Sequence, residues 1–235
     1  MAFAHYKRRN AASVPKLAPA EFLVTEDGSP RSVFMGTNNG NVQIPTFGAN
    51  ETAVSIKQFH ALETDAVAAS TTGVHAAVTS TGSSQTVTTA ITSPAVPRNI
   101  TATAGGTAGD IKAIQVVVAG TNYDDETITE TLPAFTVDTA GTVIGSKAFK
   151  TVTSITIPAH DGTGATTSIG WGDKLGLPWE LTRNTVLYKQ TFLNDVVEST
   201  EPTITVSASA IESNTIDLNS ALNGTVVDSF FITDL

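Results

Sequence analysis

The chain contains no cysteine, so disulfides and thiolate metal sites are excluded outright. Charged residues are scarce at 15% of 235, well below the usual quarter, and aromatic residues amount to only 6%. No apolar run approaches the roughly 18 residues that a spanning helix requires. The opening MAFAHYKRRN has no apolar signal-peptide segment, so synthesis in a cytoplasm is expected, with no membrane insertion. Positive charge is also short, with 13 Lys and Arg against 22 Asp and Glu and a formal net charge of −9. Such a body repels phosphate backbones, which argues against nucleic acid as a partner.

What is abundant points to strands. Threonine makes up about one residue in six, and Thr, Val and Ile together fit a pleated, half-buried surface. Gly and Pro punctuate the chain at short intervals. The expected fold class is all-β: a short N-terminal β-meander, oligomerising and β-prism-like, followed by an antiparallel β-sandwich.

Four regions follow. Residues 1–19 read as an extended arm, since Pro15 and Pro19 discourage helix. This arm is basic, and Tyr6, Lys7, Arg8, Arg9 and Lys16 are its candidate docking residues on an acidic partner surface. Residues 20–50 hold the meander. Phe22 and Val24, Val33 and Met35, and Val42 and Ile44 alternate at period two, with turn chemistry at Asp27-Gly28 and Asn39-Gly40. So slight a sheet is not stable alone, and its six apolar residues are the expected contacts between copies. Residues 51–83 are expected to carry a short Ala-rich helix over 51–70, although Val54 and Ile56 alternate like a strand, and then a small, polar linker or hairpin. From 84 to 235, strand-like runs recur every ten to fifteen residues: 84–91, 98–104, 110–120, 126–133, 149–158, 166–175, 185–194, 203–211, 213–219 and 225–235. That spacing, without an intervening long helix, reads as a sandwich or barrel.

Three constellations could carry chemistry. Tyr123-Asp124-Asp125-Glu126, with Glu130 four residues on, could supply paired carboxylates or calcium ligands; the simpler reading is a hairpin turn. Alternation places Glu130 on the side of Ile128 and Leu132, at the edge of the core. His160-Asp161-Gly162 lacks both a nucleophile and a P-loop pattern, so it reads as a glycine-rich loop. Trp171 and Trp179, with Tyr123, are possible glycan contacts, or else core anchors. The four histidines show no metal-ligand spacing. No catalytic residue, metal or cofactor is assigned, and the chain is expected not to be an enzyme.

The segment KLAPAEFLVTEDGSPRSVFMGTNNGNVQIP resembles the short N-terminal modules of bacteriophage fibre and decoration proteins. The resemblance rests on Leu17-Ala18 with Glu21, the turn Val24–Gly28, and the hairpin Val33-Phe34-Met35-Gly36 with Asn39-Gly40. The later segments VPRNITATAGGTAGDIKAIQVVVAGTNYDDETITETLPAF and SNTIDLNSALNGTVVDSFFITDL are similar in style to virion β-sandwiches. The chain lacks long heptads, collagen-like repeats and a chaperone domain, which favours a compact appendage over a long fibre. The resemblance implies a virion structural protein that decorates the head or forms a head-fibre, neck or baseplate appendage. It would be a homotrimer bound to capsid, neck or baseplate proteins. A receptor-binding, glycan-reading adhesin is the alternative.

Overall fold

A computed structural model of the chain describes the backbone of residues 22–24, 33–37, 40–44 and 54–234, with side chains over 56–232. The chain divides into two compact units, Met1–Ser55 with the last two residues, and Ile56–Thr233. In the first unit, β1 (Phe22–Val24), β2 (Val33–Thr37) and β3 (Gly40–Ile44) form a three-stranded antiparallel sheet. Its register sets Phe22 opposite Met35 and Met35 opposite Val42, then Val24 opposite Val33 and Val33 opposite Ile44. The six expected contact residues thus fall into two cross-strand rows. The arm residues lie outside the described part.

The second unit begins with β4 (Val54–Ala61), β5 (Ser70–Thr79), β6 (Gln85–Val87) and β7 (Arg98–Gly106). Next come β8 (Val117–Thr121), β9 (Thr127–Thr131), β10 (Gly141–Phe149), β11 (Thr151–Ile157) and β12 (Ala165–Gly176). The chain finishes with β13 (Val186–Leu193), β14 (Val196–Val197), β15 (Thr203–Thr205), β16 (Thr215–Asp217) and β17 (Val227–Asp234). Every pairing with a recorded register is antiparallel. The fold is all-β and sandwich-like, as the composition predicts.

Over the described residues 54–70 the expected helix is not there. Phe59 and Ala61 are buried while Gln58 and His60 are exposed, so the segment alternates as strand β4. Two of its alanines reflect tight packing and not helix propensity: Ala61 and Ala66 are almost completely buried. Propensity is a weak prior that tertiary packing overrides. The expected polar linker is likewise strand β5, which pairs with β12 and buries Val74. Strand β10 answers no expected run, and β8 begins late: Ile111, Ile114 and Val116 are buried from irregular chain before it, their carbonyls accepting from Asp138, Phe135 and Leu132 N–H.

Two cores result. In the first, β5, β7 and β12 present Val74, Ile100, Ala102, Ala104, Ala165 and Ile169 to Val118, Ile128, Val152 and Ile155 of the sheet β6-β11-β8-β9. In the second, Leu175, Leu177 and Ile216 meet Phe59, Ala61, Val227 and Phe231 of the sheet β14-β13-β17-β4. The twelve-residue β12 passes through both.

Strand β7 organises the junction. Between Ile100 and Arg98 it offers one residue, Asn99, where β12 offers three, 172–174. On its other side Thr101 pairs with Ile144 and Asn99 with Ala148, so β10 also bulges, over residues 145–147. Asn99 ties both bulges: its side-chain amide donates to Gly145 O at 3.2 Å, and its oxygen accepts from Lys174 N at 3.0 Å. Arg98 points the other way, 1% exposed, donating from Nε to Gly172 O at 2.8 Å and from a terminal nitrogen to Val67 O at 2.7 Å. Burial lowers its pKa to about 10, with Asp173 acting in the opposite direction, so it stays charged at neutral pH.

Candidate functional site

The acidic turn is structural. Asn122 Oδ1 accepts from the backbone N–H groups of Asp124 at 3.1 Å and Glu126 at 3.0 Å, and Asp125 has φ of 65°. These are the marks of an Asx-stabilised hairpin tip joining β8 to β9. Its carboxylates are divided rather than convergent. Asp125 pairs with Lys150 at 2.8 Å, whereas Glu130 lies 9% exposed on the far side of the hairpin. There Glu130 Oε1 accepts from Ser146 N at 2.7 Å, Ser146 Oγ at 2.9 Å and Lys147 N at 3.3 Å. It therefore satisfies the amides that the β10 bulge leaves unpaired. Its alternation with Ile128 and Leu132 on the edge strand β9 is as the sequence predicts.

The loop at 160–164 is also built for packing. His160 is buried, stacked on Phe135, with Nε2 2.9 Å from Thr167 Oγ1 and Nδ1 accepting from Lys112 N at 3.3 Å. Burial lowers its pKa, only partly opposed by Asp161. Gly164 N donates to Asp110 at 2.8 Å, where a side chain at residue 164 would meet that carboxylate.

The three candidate glycan contacts do not gather in one place. Trp179 packs edge-on against Phe231 with ring centroids 5.6 Å apart, beside the second core, and Lys57 Nζ lies 5.6 Å from its ring. Its indole N–H is buried without a partner among the described residues. Tyr123 sits half-exposed at the hairpin tip. Trp171 alone lines a cleft, one of about 300 Å³ that opens at the double bulge.

This cleft draws its walls from five strands. Asn99 and Thr101 come from β7, Thr142 and Ile144 from β10, Trp171 to Lys174 from β12, and Asp217 from the end of β16, with Ala69 to Thr71 opening β5. Glycine makes the geometry possible. A side chain at Gly170 would collide with the Ser70 carbonyl, and one at Gly172 would meet the Asn99 amide at 2.6 Å. The Trp171 indole is pinned, its N–H donating to Ala68 O at 3.2 Å while Gly73 leaves the ring room.

The cleft carries two carboxylates and one ammonium. Asp173 is tethered weakly to Arg98 at 3.4 Å. Among the described residues no hydrogen bond reaches the Asp217 carboxylate. Burial raises its pKa, Lys174 works against that and Asp173 adds to it. A half-buried acceptor without a donor is costly unless water or a ligand supplies one. Sequence reading missed Asp173, Lys174 and Asp217, since nothing local marks them. Only the alternation of Asn99, Thr101 and Thr103 along β7 hints at a polar face there.

Among the described residues no three His, Asp or Glu side chains cluster closely enough to hold a metal ion, and no helix is long and apolar enough to cross a membrane. No family model, curated protein or solved structure matches the chain.

Proposed function

We propose that this is a non-enzymatic structural protein of a bacteriophage particle, a capsid decoration or head- or neck-fibre-type appendage that works as a homotrimer. The observation that carries the reading is the small N-terminal unit, whose short strands bring six apolar residues into two cross-strand rows. A three-stranded sheet of that size needs another apolar surface to be stable. Three copies can provide it for one another, by burying rows at about 25 cal/mol per Å2. The net charge of −9 favours protein partners over nucleic acid. The basic arm then meets an acidic site on capsid, neck or baseplate.

Light scattering on the full chain should give three times its 24.4 kDa mass, falling to a monomer when residues 1–50 are removed. A full-length monomer overturns the assembly reading. Deleting residues 1–19 should abolish attachment to particles seen by electron microscopy while the trimer persists. Normal decoration by that variant removes Tyr6, Lys7, Arg8, Arg9 and Lys16 from the docking role.

A second reading, a glycan-binding adhesin of tail or baseplate, is favoured by one observation: Trp171 lines a cleft with two carboxylates at a pair of β-bulges. Bulges are over-represented beside functional sites, where they re-aim side chains.

A further inference from the structure

We propose that the cleft at the double bulge is a subsite for a single uncharged pyranose unit. The sugar would donate hydroxyls to Asp173 and Asp217, meet the hydroxyls of Thr101 and Thr142, and lie against Ile144. The inference rests on the adhesin reading and narrows it to one place and one ligand class.

The size sets the first limit. At about 300 Å³ the cleft lies at the lower end of small-molecule sites, which run from roughly 300 to 1,000 Å³. That volume accommodates one ring. Its lining sets the second. The cleft surface is mostly apolar, with the 56%-exposed Ile144 among its walls and a few hydroxyls and carboxylates between them, which matches a ring with a weakly polar face and polar edges. Charge sets the third. Asp173 is already paired with Arg98, whereas Asp217 has no donor among the described residues; a sugar hydroxyl supplies one and the carboxylate of an acidic sugar does not. The bulge sets the fourth. Three β12 residues opposite Asn99 deliver both Asp173 and Lys174 to the cleft where regular pairing would alternate them across the sheet.

The test uses the full chain. Backbone amide NMR spectra are recorded during titration with methyl glucoside, methyl galactoside and N-acetylglucosamine, with sialyllactose as the anionic comparison. The protein is also applied to a printed array of neutral and sialylated glycans. One neutral sugar should shift amides of residues 99–101, 142–145 and 171–174. Affinity should fall about tenfold or more in Asp217→Ala, which removes the acceptor and with it a hydrogen bond to a charged group. It should vanish in Thr142→Trp, which fills the cleft from an exposed edge-strand position. Val196→Ser, exposed on β14, should bind as the parent does, and unchanged thermal melting shows that each variant is folded.

Array binding that survives Thr142→Trp overturns the subsite and leaves the adhesin reading standing. Cleft shifts with free sugars but a silent array keep the subsite and remove the adhesin reading. No shift with any neutral sugar, or preference for sialyllactose, overturns the proposal.

Discussion

The two cores of the second unit are built by different means. In the first, twelve of seventeen buried residues stand on paired strands, and most are Val, Ile or Ala. In the second, five of eleven come from connections: Ala66, Leu177, Leu181, Leu218 and Leu222. Strand ladders fix the first core's backbone directly. The second must have its loops held by side chains instead. Asn214, fully buried, does most of this, accepting from the N–H groups of Leu181 and Ser207 and donating to the carbonyls of Ser207 and Ala210. One amide thus braces four backbone groups outside the strand ladders, and Ser207 N–H has no other partner among the described residues. The comparison teaches that a sandwich can extend past its ladders when a polar anchor replaces them.

The sharpest way to break the comparison is to hollow each core in turn. Phe149→Ala and Phe231→Ala should each cost about 3–5 kcal/mol in urea titrations. Both should keep a single transition, because β12 carries residues of both cores. A second transition in Phe231→Ala alone would show that the cores fold independently. The polar anchors come next. Asn214→Ala should cost about 2–4 kcal/mol by removing four hydrogen bonds that hold the loops of the second core. Glu130→Gln, which keeps one acceptor for the bulge amides of β10, should cost less, about 1–3 kcal/mol. If Glu130→Gln is the more damaging of the two, ladders do not protect the first core as argued.

The smallest effect is one of pH. His160 beside the first core has its pKa lowered by burial, so the folded state holds it neutral. Its contribution is complete above the unfolded value of about 6.5 and is lost as pH falls through the lower folded value. Urea midpoints should therefore drop from pH 8 to pH 5.5 more in the parent than in His160→Gln. Equal drops would mean that its contacts with Thr167 and Lys112 do not select the neutral ring.

Much of the first core was legible in the sequence, and the reason is visible in β9. Thr127 to Thr131 alternate exposed and buried as their side chains alternate polar and apolar, with Glu130 the single exception. That exception needed the partner strand to explain it, since the bulge amides come from residues sixteen and seventeen positions away. The second core was harder to read. Ala61 and Ala66 imitate a helix because small residues serve tight packing and helices alike. Even in the first core, strand β10, with two glycines and a lysine, carried too weak a pattern to be expected. The cleft was the least legible, because Ser70, Asn99, Thr142, Asp173 and Asp217 are far apart in sequence and ordinary in type.

What the sequence determined by itself is the class: Thr-rich alternation, frequent turns and few charges leave an all-β chain as the consistent solution, because period two is a local property of the pleat. It also set the meander, whose turns and alternation are local as well. The tertiary structure alone decided which strands border β12, where both neighbours of β7 bulge, and how a lone carboxylate came to face a cleft. Those outcomes depend on register between distant segments, and a slip of one residue turns every side chain to the opposite face of the sheet.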